Sequence, residues 1–415
     1  MSILIKNVEV SGKRQDIGII GNRIAAMGCG LSGDYDIQLD GSHLMAAAPF
    51  YNTHTHAAMS LLRSYADDME LFEWLTKYIW PAEQKLTGDD IYWGTRLACL
   101  EMVKSGTVFF CDMYFWPMEV ARAAADSGLR AAVAPTTLSC SPQAEQYRRQ
   151  SEEAWERRAE LDPKVQLMTA PHAVYTCTEK DLRELAEFSA RENIRLTIHV
   201  AETSKEVSDC MEAHGGMTPV AYLDSLGVLS ERTIAAHCIY LSDEDRKIFA
   251  QRGVYSAFNP CSNMKLCSGM FPFRKMMDDG CRVTIGTDGC ASNNNLSMFD
   301  EMKMAALVAK MSSQTPTGAT AGEIYHAATR AGAEAFGIDA GIIEPGRLAD
   351  IMLLDSDAPQ MVPNFNPVSN LVYSADAGCV KTVICDGRIL MQDRVVPGEE
   401  EVIAHARECA AKLTR

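Results

Sequence analysis

The sequence predicts an α/β fold: a (β/α)8 TIM barrel with a small β-sandwich domain formed from both chain ends. Apolar, strand-like runs alternate with helical segments through most of the chain, which argues for repeated βα units and a parallel sheet. Eight such runs can be counted, and the two ends share a different texture of short strands and turns.

The first 48 residues read as ILIKNVEV, then QDIGIIGNRIAAMG, then YDIQLDGSHLMAA, separated by turn residues. The eight apolar runs follow in order: LMAAAPFYNTHTH, GTVFFCDMY, LRAAVAPTTL, VQLMTAPHAVYT, RLTIHVAET, TIAAHCIYL, VYSAFNPCSN and CRVTIGTDGCASN. Helical segments separate them, such as EKDLRELAEFSAREN (179–193) and SMFDEMKMAALVAKM (297–311). A late helix opens with Thr320 and Glu323 at the spacing of a capping box. The tail returns to strand texture with ADIMLLD and VKTVICDGRILMQDRVV. Residues 49–343 are therefore assigned to the barrel, and 1–48 with 344–415 to one discontinuous β domain.

Composition narrows the function classes. At 415 residues with 47% hydrophobic and 23% charged content, the chain has material for a large core. Its net charge of −16 repels phosphate backbones and anionic lipid, so neither nucleic acid nor membrane is an expected partner. The start, SILIKNVEV, lacks the pattern of a signal peptide, and no window approaches the roughly 18 apolar residues of a membrane span. Fourteen scattered cysteines, none in a Cys-x-x-Cys pair, read as free thiols in a reducing cytoplasm.

Barrel strands are apolar until their C-terminal ends, where catalytic residues collect. Five of the eight runs end in groups able to bind a metal or move protons. The first supplies His54 and His56, the fourth His172, the fifth His199 and Glu202, the sixth His237 and the eighth Asp288. Strand side chains two residues apart point the same way, so His-x-His aims both imidazoles at one site. Alone, that pair is a weak signal, and a lone strand histidine is more often a core residue. Three imidazoles with the Asp288 carboxylate, however, suit one divalent metal with a position left for water. The donor set accommodates Zn2+, Fe2+ or Mn2+.

In this arrangement His54-Thr-His56, His199 with Glu202, His237 in AAHCIYL and Asp288 in GTDGCASNNN resemble the amidohydrolase superfamily, and within it the mononuclear aminohydrolases. The resemblance extends over essentially the whole chain, including GRLADIMLLD. It implies one metal, with zinc the default, because His172 stands where binuclear members carry a bridging lysine. It also implies a division of labour. Asp288 takes a proton from water, His237 stabilises charge on the developing oxyanion, and Glu202 protonates a ring nitrogen so that an amino group leaves as ammonia.

The stretch EWLTKYIWPAEQKLTGDDIYWGTRLACLEMVKSGTVFFCDMYF is similar to the 5'-methylthioadenosine/S-adenosylhomocysteine deaminases. By that resemblance Glu83 binds the ribose hydroxyls, His172 also contacts substrate, and hydroxide attacks purine C6 of an adenosine-type nucleoside. A carboxylate can indeed accept both hydrogen bonds of a vicinal diol. Trp80 is a candidate pocket wall, and Met59, Met113 and Met270 are candidates for an apolar floor. The family's two carboxylate-binding arginines are less well matched: one position is Pro135, the other Arg148 or Arg149. Losing one such contact favours 5'-methylthioadenosine, 5'-deoxyadenosine or adenosine over S-adenosylhomocysteine. Deaminases of free bases or pterins, and triazine hydrolases, share the same metal set and are the alternative. Relatives commonly form homo-oligomers, so association of copies is open.

Overall fold

A computed structural model describes residues 1–413. Strands from both chain ends join in one mixed eight-stranded sheet. Its path runs Arg388–Met391, Val380–Cys385, Ile351–Asp355, Leu44–Ala47, Ser2–Val10, Lys13–Ile20, Arg23–Gly28, with Ile37–Asp40 also paired to Ser2–Val10. Period-two alternation gives this sheet two apolar faces. Ile351 and Leu353 pack with Ile3, Ile5, Ile17 and Ile19 in a core of their own. Met352 and Leu354, the intervening residues, join the main core instead.

The middle of the chain forms two parallel sheets. One joins Phe50–Thr55, Thr107–Tyr114 and Arg130–Thr137, with Val165–Leu167 and Ala170–Pro171 both paired to the last. The other joins Leu196–Val200, Thr233–His237, Tyr255–Phe258 and Arg282–Ile285. Parallel bridges Thr169–Leu196 and Ala173–His199 connect the two. At their other edges the Thr53 hydroxyl donates to Ile285 O at 3.0 Å, and the Thr287 and Asp288 N–H groups donate to His54 O at 3.1 and 3.0 Å. The fourth apolar run is thus two short strands rather than one, and Pro171, lacking an N–H, ends the second.

Helices fill the intervals between these strands, among them Gly88–Lys104, Pro117–Ser127, Ala144–Glu156 and Glu179–Glu192. Several helix starts are set by side chains: Thr320 accepts from Glu323 N at 3.2 Å while Glu323 accepts from Thr320 N at 2.8 Å, the reciprocal box expected from sequence. The tail holds more helix than its strand texture predicts. Pro367–Tyr373 and Glu399–Leu413 are helical, and the second is tied to Gly88–Lys104 by Lys104 and Glu399 at 2.5 Å. All fourteen cysteines are free. No helix among the described residues is long and apolar enough to cross a membrane.

Candidate functional site

Five strand ends of the two parallel sheets converge. His54 is fully buried on Phe50–Thr55, and neither of its ring nitrogens has a hydrogen-bond partner. Its ring lies 5.0 Å from that of His56 and 4.9 Å from that of His199, centroid to centroid. Asp288 Oδ1 is 3.6 Å from His54 Nε2 and 3.2 Å from His56 Nε2. The potential ligand atoms of His54, His56 and His199 lie within 4.8 Å of one another, as do those of His54, His237 and Asp288. A buried imidazole with both nitrogens unpaired is costly, and a cation between these groups would remove that cost.

The neighbours orient these side chains. The Nδ1–H of His56 donates to Met113 O at 2.6 Å and that of His199 to His172 O at 2.8 Å, so Nε2 of each is the nitrogen turned toward the shared site. Asp288 accepts from Ser262 Oγ at 2.6 Å and Ser292 Oγ at 3.0 Å through Oδ2, and from Gly289 N at 2.9 Å through Oδ1. Gly286 is required by this approach, since a Cβ there would meet the His54 backbone at 2.8 Å. His237 and Asp288 take φ of 70° and 60°, a left-handed conformation disfavoured for such residues and commonly retained at active sites.

Charge follows geometry. Burial lowers His54 to about 4 and His172 to about 3, keeping both neutral. Burial opposes the charge on His56, yet contact with Asp288 outweighs it and raises His56 to about 9. Burial likewise opposes ionisation of Asp288, but His54 and His56 hold it well below the usual carboxylate range. His237 is raised despite burial, by the Glu202 and Asp288 carboxylates. Its Nδ1–H donates to Asn263 Oδ1 at 2.8 Å, and its Nε2 lies 3.8 Å from Glu202 Oε2.

Glu202 follows Leu196–Val200, and its position is built by Glu206. That carboxylate accepts from Ala201 N and Glu202 N, both at 2.8 Å, while Ser268 Oγ donates to Glu202 Oε1 at 3.0 Å. These groups open into a cleft of ≈ 610 Å³, its solvent-open mouth included, lined by His56, His172, His199, Glu202, His237 and Asp288. Glu83 and Trp80 line it too, as do Met59 and Met113. Burial raises Glu83 to about 7, with the neighbouring Tyr114 hydroxyl and His56 opposing. A second chamber of ≈ 400 Å³ shares Trp80, Glu83, Phe115 and Leu138 and continues past Gln143 and Tyr147.

Three residues singled out in the sequence stand apart from the cavity. Arg148 and Arg149 occupy an exposed face of Ala144–Glu156, where glutamates one turn away engage them: Arg148 with Glu145 at 2.8 Å and Glu152 at 2.7 Å, Arg149 with Glu145 at 3.1 Å. Met270 is half exposed on a loop and does not line it. Sequence reasoning missed Ser262, Asn263, Ser292, Ser268 and Glu206. The polar end of the seventh run, NPCSN, was the available signal for the first two.

Comparison with known proteins gives a consistent result. A model of the amidohydrolase family matches residues 45–390. A 5'-deoxyadenosine deaminase of Methanospirillum hungatei is 47% identical over 382 residues, 91% of this chain and 85% of that protein. A 5-methylthioadenosine/S-adenosylhomocysteine deaminase of Archaeoglobus fulgidus is 44% identical over 423 residues, 99% of each chain. Among solved structures, an adenosine deaminase from Xanthomonas campestris with bound zinc superposes with TM-score 0.94 at 29% identity, covering 99% of this chain and 98% of its own.

Proposed function

The chain belongs to the amidohydrolase family, and from that premise we propose that it hydrolytically deaminates an adenosine-type nucleoside to the inosine analogue and ammonia. It is an aminohydrolase. The observation that carries the substrate class is the cavity itself, where Glu202 and Glu83 share one chamber with the converged imidazoles. One carboxylate suits the heteroaromatic ring and the other a sugar diol.

In this reading His54, His56, His199 and Asp288 hold one divalent metal, zinc by preference, with Fe2+ or Mn2+ compatible with the same donors. When bound, such an ion supplies a Lewis acid that acidifies water toward neutrality. Asp288 takes a proton from the water that attacks purine C6. Glu202 delivers a proton to the ring nitrogen, drawing electrons from C6. His237, whose charged form the Glu202 and Asp288 carboxylates favour, presents Nε2–H to the oxygen on which negative charge grows. Glu83 and His172 orient the sugar, and Trp80 packs against it. The two parallel sheets are read as one (β/α)8 barrel over 49–343, supported by the bonds linking both pairs of sheet edges. Residues 1–48 and 344–415 then form the small β domain, folded as a sandwich over its separate core. Fourteen free thiols suit the cytoplasm.

Neither chamber is lined by lysine or arginine, so a carboxylate on the 5' group finds no cation. A panel of 5'-deoxyadenosine, 5'-methylthioadenosine, adenosine, S-adenosylhomocysteine and free adenine tests the proposal, with metal analysis of the same sample. Ammonia release is expected from the first three, with S-adenosylhomocysteine at least about tenfold lower in kcat/KM for one lost charged contact. Turnover of free adenine alone would overturn the nucleoside reading. Equal rates on all four nucleosides would overturn the 5' preference.

A further inference from the structure

Two hydroxyls face the cavity without a partner. Tyr114 ends the strand Thr107–Tyr114, is 3% exposed, and its Oη lies beside the Glu83 carboxylate without a hydrogen bond of good geometry to any protein group. Thr136 lies on the adjacent parallel strand, one residue beyond Pro135, the register partner of Tyr114. It is 4% exposed, and its Oγ1 is likewise unpartnered. Both residues line the chamber that holds Glu83. The Tyr114 ring sits 5.0 Å from Phe115 and 6.1 Å from His56, centroid to centroid, so packing holds the hydroxyl inside.

A buried hydroxyl left unpaired costs about 1–3 kcal/mol, which phenylalanine or valine at the same place would not incur. Such groups call for a ligand that completes them. The chemistry around them is specific. Glu83 when ionised only accepts, whereas each hydroxyl both donates and accepts. A vicinal diol also donates and accepts at each oxygen, so a carboxylate alone leaves its lone pairs unmet. We infer that the Tyr114 and Thr136 hydroxyls, with Glu83, form the subsite for the sugar's vicinal hydroxyls and set a preference for ribonucleosides over deoxyribonucleosides. The inference rests on the nucleoside reading above.

The test uses the metal-loaded enzyme and its Tyr114→Phe, Thr136→Val and Thr136→Ser variants on adenosine, 2'-deoxyadenosine and 3'-deoxyadenosine. Removing an unpartnered hydroxyl should leave the fold and metal content intact. Y114F and T136V are each expected to raise KM for adenosine about tenfold with kcat unchanged. Each loss should vanish on the analogue that lacks the hydroxyl it holds, and T136S should keep the KM of the parent. Unchanged KM for adenosine in both Y114F and T136V, or equal losses on all three substrates, would overturn the inference while leaving the deaminase reading standing. If the parent enzyme deaminates none of the three and neither 5'-deoxyadenosine nor 5'-methylthioadenosine, the functional proposal itself fails.

Discussion

At the scale of single residues, the site is held in place by backbone carbonyls and small polar side chains as much as by its ligands. Met113 O and His172 O each take an Nδ1–H and so set which nitrogen of His56 and His199 is free. Ser262 and Asn263, consecutive in sequence, reach different targets, Asp288 and His237. Glu202 is the group whose role is most separable from this frame, because it lies beside His237 rather than among the three imidazoles and Asp288. Glu202→Gln keeps the volume and an acceptor for Ser268 but has no carboxylic proton to give. The expected result is a kcat about 100-fold lower or less, with metal content by elemental analysis unchanged. Loss of metal together with activity would reassign Glu202 to coordination.

At the scale of elements, strand ends and helix starts carry the chemistry because there the backbone leaves its ladder. Ala201, His237 and Asp288 all adopt positive φ at or within three residues of a strand's C-terminal end, turning their side chains or successors toward one point. The segment Leu71–Glu83 supplies Leu71, Trp74, Leu75, Trp80 and Glu83 to the cavity wall from a run of short helical turns. Elsewhere helices are fixed by caps that touch no ligand. The box at Thr320 was legible from spacing alone, because both of its bonds are local. Thr320→Ala should lower unfolding free energy by about 1 kcal/mol, read from chemical denaturation, with kcat unaffected. A change in kcat without a change in stability would contradict this.

Across the whole molecule, one buried network fastens the middle of the chain to the sheet made from its ends. Arg130 Nε donates to Asp350 Oδ2 at 3.1 Å and its Nη2 to Asp386 Oδ1 at 2.5 Å, while Tyr51 Oη donates to Asp350 at 2.8 Å. Asp350 is 1% exposed. Removing the Asp350 charge strips buried Arg130 of its fully buried carboxylate and leaves it only the more exposed Asp386, a costly change at a buried site. Asp350→Asn should therefore destabilise by about 3 kcal/mol, measured by denaturant unfolding. A loss under about 1 kcal/mol, the range of an exposed pair, would show that the network does not lock the two parts together.

The sequence by itself determined the features that depend on local spacing and on side-chain chemistry. The alternation of βα units, the His54-x-His56 pair, the placing of His199 and Asp288 at strand ends and the Thr320 cap all follow from periods of two or from short offsets. The helix Glu399–Leu413 and the split fourth strand were hidden, because strand-rich surroundings and Pro171 act through neighbours. Only the tertiary structure decided that Glu83 reaches the metal-site cavity whereas Arg148 and Arg149 do not. It also decided that Ser262, Asn263 and Glu206 brace Asp288, His237 and Glu202, and that Arg130 meets Asp350 across 220 residues. Such contacts join distant parts of the chain, and their partners are set by how helices and strands pack, which no local pattern encodes.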